Sequence, residues 1–199
     1  NARYRGEIMR LMAVFVDSEM AGASGFADSI NMAPGLNERI IAARIVAEKF
    51  VHAGRVLKIM EEFGANTSRY VGSHPWSNRL SRESSLGTKR IDGDMRLNVF
   101  HYPLTDWCDA LTMNTLMGCA TVIQLKELSD CSYQPLASAF TEIVPVESRH
   151  ANLGVAGLRQ ILADGDASAS AQASADYWYP RVASTFGRAS SDHLDAYLR

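Results

Sequence analysis

Apolar residues recur at three- and four-residue intervals through the first third of the chain. One such stretch runs from Tyr4 to about Ile30, and a second runs from Leu36 to Phe63. The apolar positions of the first are Ile8, Leu11, Met12, Phe15 and Val16. This spacing places the apolar side chains on one side of a helix. The pattern therefore predicts two long amphipathic helices, the second ending at Gly64, a residue favoured just past a helix C-terminus.

Three further helices are predicted in the second half of the chain. The third follows Thr105-Asp106, a plausible N-terminal cap, and runs from Trp107 to Leu128. The fourth opens at Pro135 and continues to about Ala163, with Pro145 expected to kink or locally loosen it. Residues 164–174, rich in Ala, Ser, Gly and Asp, are expected to form a flexible linker. A final helix is then expected from about Ala175 to Leu198.

A long stretch without helical periodicity separates the second helix from the third. Residues 65–98 are rich in Ser, Gly, Arg and Asn, which indicates a long connection with one short helix. Ferritin-like bundles place one long crossover between their second and third core helices. No segment with strand periodicity is long enough for a sheet. The chain is therefore expected to be all-α, a ferritin-like four-helix bundle with a long crossover and an extra C-terminal helix.

Composition narrows the classes of function. With 199 residues, 47% of them hydrophobic, the chain is expected to form a single domain over 1–199. The net charge of −2 and the scattered basic residues argue against nucleic-acid binding. No apolar run reaches the ~20 residues of a membrane span, and Glu7 and Asp17 interrupt the first stretch where a signal peptide would be apolar. An odd set of cysteines without CxxC spacing, Cys108, Cys119 and Cys131, favours a reducing, cytoplasmic location.

Candidate metal ligands are spread over three predicted helices. Glu147 and His150 in the fourth helix are three residues apart, so their side chains share one face. Taken alone, Glu-x-x-His is common on solvated helix faces. Glu19 in the first helix and His52 in the second give the pattern more weight, because ferritin-like di-iron proteins take ligands from all four core helices.

A set of short segments carries a resemblance to a known family. They are Ser18-Glu19, Ala33-Pro34, His52, Phe100-His101-Tyr102-Pro103 with Trp107 and Asp109, Ser132-Tyr133 with Pro135, Glu147-x-x-His150, Trp178-Tyr179-Pro180 and Phe186-Gly187. In order and spacing, this set resembles the catalytic-subunit branch of the phenylacetyl-CoA epoxidase family, and it runs through nearly the whole chain. The resemblance implies a di-iron centre that activates dioxygen, a reductase that supplies electrons, and an aryl-CoA thioester as substrate.

The chain departs from that family's ligand pattern at two positions. Lys49 stands where the second helix should carry a Glu three residues before His52, and Gly118 stands where the third helix should supply an Asp. At about 4 Å, an ammonium and a divalent ion repel by several kcal/mol even at an effective dielectric constant of ~20. We therefore expect no standard di-iron centre and no bound cofactor. Instead, Lys49 is expected to hold Glu19 and Glu147 in a buried salt-bridge cluster, with Glu19 and Lys49 as the pair on which function depends.

Two alternatives retain a metal. Glu48 lies four residues before His52 and could replace the missing ligand after a small helix rotation or a π-bulge. A single iron or manganese ion could instead be held by ligands drawn from His52, His150, Glu147 and Glu19.

Two functions therefore stay open: a structural or regulatory subunit or substrate-binding scaffold, and an oxygenase acting on an aryl- or acyl-CoA thioester. From the resemblance, the expected partner is a second copy of the chain or a related ferritin-like subunit. Three further histidines, His74, His101 and His193, are expected to cap helices or face water and are assigned no function.

Overall fold

A computed structural model describes residues 2–86, 93–163 and 167–187 of the chain. The six α-helices of this part are α1 Ala2–Ser29, α2 Leu36–Glu62, α3 Thr67–Ser73, α4 Trp107–Leu128, α5 Gln134–Ala163 and α6 Ser168–Ala183. Short 3-10 turns lie at Ile30–Met32, Asn98–His101 and Ser184–Phe186. The described residues contain no strand, so the prediction of an all-α fold is confirmed.

Four long helices form the bundle. Helices α1 and α2 make one hairpin and α4 and α5 another, and α1 packs on α4 while α2 packs on α5. The largest core cluster is apolar and draws on all four helices. Its buried members include Met12, Phe15, Val16, Val56, Met60, Leu125, Leu136, Phe140 and Ile143. The second and third core helices are separated by the predicted crossover, as in ferritin-like bundles.

Several helix ends lie where local sequence signals predict them. Gly64 follows α2 with φ of +87°, a left-handed conformation that glycine adopts without strain. Asp106 precedes α4, and its carboxylate accepts a hydrogen bond from the backbone amide of Asp109 at 2.8 Å. Asn66 caps the short helix α3 of the crossover in the same way, through the amide of Arg69.

The C-terminal part differs from the prediction. Helix α6 begins at Ser168, so the expected flexible linker is wrong from that residue onward, and it ends at Ala183 rather than Leu198. Ala171, Ser174, Trp178 and Val182 are buried at three- and four-residue spacing and face the bundle. Alanine is the best helix former, so an Ala- and Ser-rich tract with such a stripe forms a helix once it packs. Residues 164–166 and 188–199, including His193, lie outside the described residues.

Two further points bear on the sequence predictions. Helix α5 runs as one element through Pro145, so the helix does not break there, and the expected kink stays a prediction. Among the described helices, none is long and apolar enough to cross a membrane.

Candidate functional site

Five side chains converge at the middle of the bundle. Glu19 comes from α1, Lys49 and His52 from α2, and Glu147 and His150 from α5. All except Lys49 are fully buried, with exposed fractions of 5% for Glu19, 6% for His52 and 1% for Glu147 and His150. The side chain of Lys49 is 13% exposed. Each residue occupies a core-facing position of its helix, which brings charged groups into a region surrounded by apolar side chains.

The ammonium of Lys49 lies between the two carboxylates. Its Nζ donates to Oε1 of Glu19 at 3.2 Å and to both oxygens of Glu147, at 3.2 Å and 3.0 Å. Burial by itself lowers the pKa of Lys49, but the negative charges of Glu147 and Glu19 outweigh it, and the pKa lies above its ordinary value. Burial likewise raises the pKa of Glu147, yet the charge of Lys49 and hydrogen bonds from His150 and His52 hold it well below its usual range. The lysine is therefore charged at neutral pH.

The two histidines flank this ion pair. Nδ1 of His52 lies 3.0 Å from Oε1 of Glu147 and 3.5 Å from Oε2 of Glu19. Burial lowers the pKa of His52, but its hydrogen bonds with Glu147 and Glu19 raise it above the ordinary value. Nδ1 of His150 lies 3.3 Å from Oε1 of Glu147, and its Nε2 lies 2.6 Å from Oε2 of Glu48. The imidazole of His150 thus connects the buried cluster to a residue at the surface.

Glu48 lies on the outer side of His150, away from Glu19. Its carboxylate also contacts Arg44 at 3.0 Å and Arg149 at 2.5 Å. Burial raises the pKa of Glu48, but the hydrogen bonds from His150, Arg44 and Arg149 lower it to about 2. In this arrangement Glu48 would reach a central metal ion only after giving up these three partners.

The bundle with its ordered set of carboxylates and histidines can be compared with known families. The family model described as "Phenylacetic acid catabolic protein" matches residues 1–198. The chain belongs to the phenylacetic acid catabolic protein family. A search of individually curated proteins gave no match.

Helices α4 and α5 lie close together at Gly118, where the resemblance implied an Asp ligand. A Cβ atom at this position would lie 3.1 Å from Cα and 3.2 Å from Cβ of Ala151. Helices α4 and α5 therefore approach one another so closely that any side chain at position 118 would push against the backbone of α5. The position is closed by packing as well as by the identity of the residue.

The residues present do not fit two metal ions. One atom each from Glu19, His52 and Glu147 lies within 4.8 Å of the others, which is a spacing that one ion could use. Lys49 Nζ, however, is within 3.2 Å of both carboxylates and occupies the space between them. Two cations would add four positive charges to a cluster whose two carboxylates already have a charged lysine. A single ion would fit only if the ammonium moved away.

A small cavity adjoins the cluster. It has a volume of about 40 Å³ and its walls include Lys49, Glu147, Gly118 and Asn114. This volume is large enough for water molecules.

A second buried cluster was not expected from the sequence. On the outer side of α1, Asp17 meets His74 and Asp94 of the crossover, with His74 Nε2 3.0 Å from Asp17 Oδ2 and 3.6 Å from Asp94 Oδ1. Asp17 also accepts hydrogen bonds from the Tyr70 hydroxyl, from Trp76 Nε1 at 3.3 Å and from the amide of Met95 at 2.8 Å. His74 was expected to cap a helix or face water; it lies at the C-terminal cap position of α3, and its side chain is only 5% exposed.

This outer cluster holds the crossover in place. Arg96 is 1% exposed, its Nε lies 2.8 Å from Asp94, and its guanidinium donates to the carbonyls of Pro75, Trp76 and Asn78. Asp17, His74 and Asp94 are spaced like ligands of one ion. Both oxygens of Asp17 already accept hydrogen bonds, and Arg96 lies against Asp94. We therefore interpret the cluster as a structural one that holds the crossover against α1.

His101, in the 3-10 turn of the crossover, is also buried, at 4% exposure, and the expectation that it faces water is wrong. Burial lowers its pKa, and the nearby charge of Arg96 lowers it further. A neutral imidazole therefore packs beside the outer cluster. The sequence signal for this region was three consecutive polar residues, Asp17, Ser18 and Glu19. At 100° per residue they cannot all face the bundle core, and Asp17 lies against the crossover instead.

Proposed function

We propose that this protein is a metal-free member of its family, acting as a structural or regulatory subunit, or as a substrate-binding scaffold, of an oxygenase system for aryl- or acyl-CoA thioesters. The observation that supports the proposal is the Lys49 ammonium, within hydrogen-bond distance of both Glu19 and Glu147. It stands where the family's metal-bound members need a further carboxylate. The thioester class follows from family membership and from the resemblance to the epoxidase catalytic subunit.

Charge balance favours a metal-free cluster. Two buried carboxylates need compensation, and a buried charge without a partner costs several kcal/mol. Lys49 supplies one positive charge, and His52, with its raised pKa, supplies a second when protonated. The cluster is then neutral without a metal ion. The close approach of Gly118 to Ala151 supports the same conclusion, since a side chain at position 118, such as that of the missing Asp ligand, would require α5 to shift.

The test is the metal content of the purified protein after expression in medium supplemented with iron and manganese. We expect under about 0.1 metal ion per chain in the natural protein and a several-fold increase in the Lys49→Glu variant, which replaces the ammonium by a carboxylate. Lys58→Glu is the matched control, because Lys58 lies on an exposed face of the same helix. Gly118→Asp is avoided, because it would clash with α5 and confuse loss of folding with loss of metal. Stoichiometric metal in the natural protein contradicts the proposal.

A second candidate is an oxygenase with one iron or manganese ion. Two observations favour it: Oε2 of Glu19 lacks a hydrogen bond of ordinary length, with Nδ1 of His52 3.5 Å away, and atoms of Glu19, His52 and Glu147 lie within 4.8 Å of one another. A metal would satisfy such atoms if Lys49 turned towards solvent. Oxygen consumption by the iron-supplemented natural protein with CoA thioesters would support this candidate. Absence of both metal and oxygen consumption would leave the scaffold proposal standing.

A further inference from the structure

A cavity of about 290 Å³ opens between helices α2 and α5 at one end of the bundle. The exposed residues Asn37, Ala156 and Gln160 lie at its rim, whereas its inner wall is buried and largely apolar. The apolar side chains of that wall include Phe26, Ala42, Ile45 and Leu111. A cavity of roughly 150 Å³ holds a benzene ring. This α2–α5 cavity therefore has room for a ring that carries a substituent.

One polar group at the inner wall has no partner. The side-chain amide of Asn114, on α4, lies against the cavity, and its Nδ2 is buried without a hydrogen bond to any described residue. This nitrogen lies beside Gly154 of α5, where a Cβ atom would be 3.1 Å from it. Gly154 lines the α2–α5 cavity but not the small cavity beside Lys49. The free donor is therefore on the side of the larger cavity, and a ligand that brings an acceptor to it gains a buried hydrogen bond.

The remaining walls restrict the chemistry of a ligand. Phe26 of α1 and Trp107 of α4 both line the cavity, with ring centroids 6.2 Å apart and planes 21° from parallel. Such rings pack well against a further aromatic ring. Glu38, at the start of α2, is the single charged side chain among the described residues that line the cavity. A carboxylate or phosphate on the ligand would meet this negative charge and no cation, so anions are disfavoured.

We propose that the α2–α5 cavity binds a compact, uncharged aromatic molecule with one hydrogen-bond acceptor, such as an aryl ketone. The ring packs in the apolar part beside Trp107, and the carbonyl oxygen accepts a hydrogen bond from Nδ2 of Asn114. A CoA thioester does not fit this description, because its phosphates are anionic and no Lys or Arg is found among the described residues of the cavity wall. Binding at this site requires neither a metal ion nor its absence beside Lys49, so its tests can succeed or fail independently of the proposed function.

The first test is the binding of two small probes to the natural protein, measured by ligand-detected NMR titration. Acetophenone is an uncharged ring with a carbonyl group, and benzoate has a similar size and a negative charge. We expect acetophenone to bind at least about tenfold more tightly than benzoate. Residues of both helical hairpins line the cavity, so acetophenone should also raise the melting temperature in scanning calorimetry.

The second test removes the hydrogen-bond donor. Asn114→Leu keeps the size of the side chain without its amide, and we expect acetophenone to bind at least about tenfold more weakly than to the natural protein. Ethylbenzene, which has the ring and no acceptor, should keep its affinity within about threefold. The matched control is Asn152→Leu, because Asn152 is an exposed asparagine of α5 outside the cavity wall. Calorimetry without ligand verifies that both variants fold.

The third test locates the bound probe. Ala156→Leu fills the cavity from its exposed rim, and it should weaken the binding of acetophenone and ethylbenzene alike, by at least about tenfold. Ala163→Leu, at an exposed position of the same helix outside the cavity wall, should leave both affinities unchanged. Because Ala156 lies at the surface, this variant tests the site even if Asn114→Leu fails to fold. No binding of acetophenone to the natural protein, an equal loss of both probes in Asn114→Leu, or undiminished binding to Ala156→Leu would each overturn the proposal.

Discussion

The two sides of helix α1 carry two buried ionic clusters of similar composition and different construction. On the inner side, Glu19 and Glu147 surround the ammonium of Lys49, with His52 beside them. On the outer side, Asp17 and Asp94 meet His74, and the cation is the guanidinium of Arg96. Each has two carboxylates and one cation in a buried setting, with one imidazole in the outer cluster and two, His52 and His150, in the inner one.

The difference lies in how the cation is held. Arg96 donates to three backbone carbonyls as well as lying against a carboxylate, so its planar group fixes the path of the crossover. Among the described residues, Lys49 donates hydrogen bonds to the two carboxylates and to no backbone carbonyl. The outer cluster is thus specific to one conformation of the chain. The inner one keeps the outline of a cation site in which the cation could be exchanged.

We expect the largest loss of stability when the outer cluster loses Asp17, its central hydrogen-bond acceptor. Asp17→Ala removes the acceptor of hydrogen bonds from the Tyr70 hydroxyl, Trp76 Nε1 and the Met95 amide, at about 1–3 kcal/mol for each buried donor that finds no other acceptor. We expect the free energy of unfolding in urea to fall by roughly 4–6 kcal/mol. Asp28→Ala, on the exposed end of the same helix, should change it by less than about 0.5 kcal/mol. An Asp17→Ala loss as small as that of the control would show that the crossover does not depend on this residue.

Removal of the inner cation should have the next largest effect. Lys49→Met leaves two neighbouring buried carboxylates without compensation, and the expected loss is about 3–5 kcal/mol at neutral pH. The loss should shrink at pH 5, because a carboxylate freed from Lys49 can take up a proton. Urea unfolding at both pH values measures the difference. An equal loss at the two pH values would contradict the interpretation that Lys49 acts through its charge.

A smaller effect is expected from a substitution that keeps the charge of the outer cation. Arg96→Lys retains the positive charge beside Asp94 but cannot satisfy the carbonyls of Pro75, Trp76 and Asn78 together. A loss of about 2–3 kcal/mol is expected. Lys49→Arg is the corresponding change in the inner cluster. If the geometry of the cation matters less there, Lys49→Arg should cost less stability than Arg96→Lys. Should Arg96→Lys prove neutral, the contrast drawn between the two clusters would be wrong.

The smallest effect concerns pH and His52. Its pKa is raised in the folded protein, so its contribution to stability is fully present below the ordinary histidine pKa and is lost as pH rises through the folded value. The natural protein should therefore lose more stability between pH 6 and pH 9 than the His52→Gln variant. At acid pH the dependence is the opposite. The pKa values of Glu147 and Glu48 are lowered in the folded protein, so these carboxylates stabilise the fold above the ordinary Glu pKa. That contribution is lost as the pH falls through their folded pKa values. Identical pH profiles for the two proteins would exclude a role for the His52 charge.

Much of the fold could be predicted because its signals are local. The start of α4 at Trp107 follows from the Asp106 cap, and the end of α2 follows from Gly64. The convergence of Glu19, Lys49 and Glu147 could be anticipated because the order of ligands along ferritin-like chains fixes which positions face one another. These inferences need only helix periodicity and the topology of the bundle.

The rest depends on contacts between distant segments. The partners of Asp17 lie on α3 and near residue 94, and nothing local in α1 identifies them. The tight contact at position 118 depends on the distance between α4 and α5. The spacing of apolar residues along the sequence does not predict that distance. Helix α6 was missed at its start because an Ala- and Ser-rich tract is helical only when its stripe around Trp178 packs on α4.

The inner cluster also joins two halves of the molecule. Glu19, Lys49 and His52 belong to the α1–α2 hairpin, whereas Glu147 and His150 belong to the α4–α5 hairpin. Within the first hairpin Lys49 already has Glu19 as a partner, but Glu147 gains its cation only when the hairpins dock. A shift of one helical turn, about 5.4 Å, would leave Glu147 buried without a cation. The ion pair therefore favours this alignment of the two hairpins over alignments shifted along the helices.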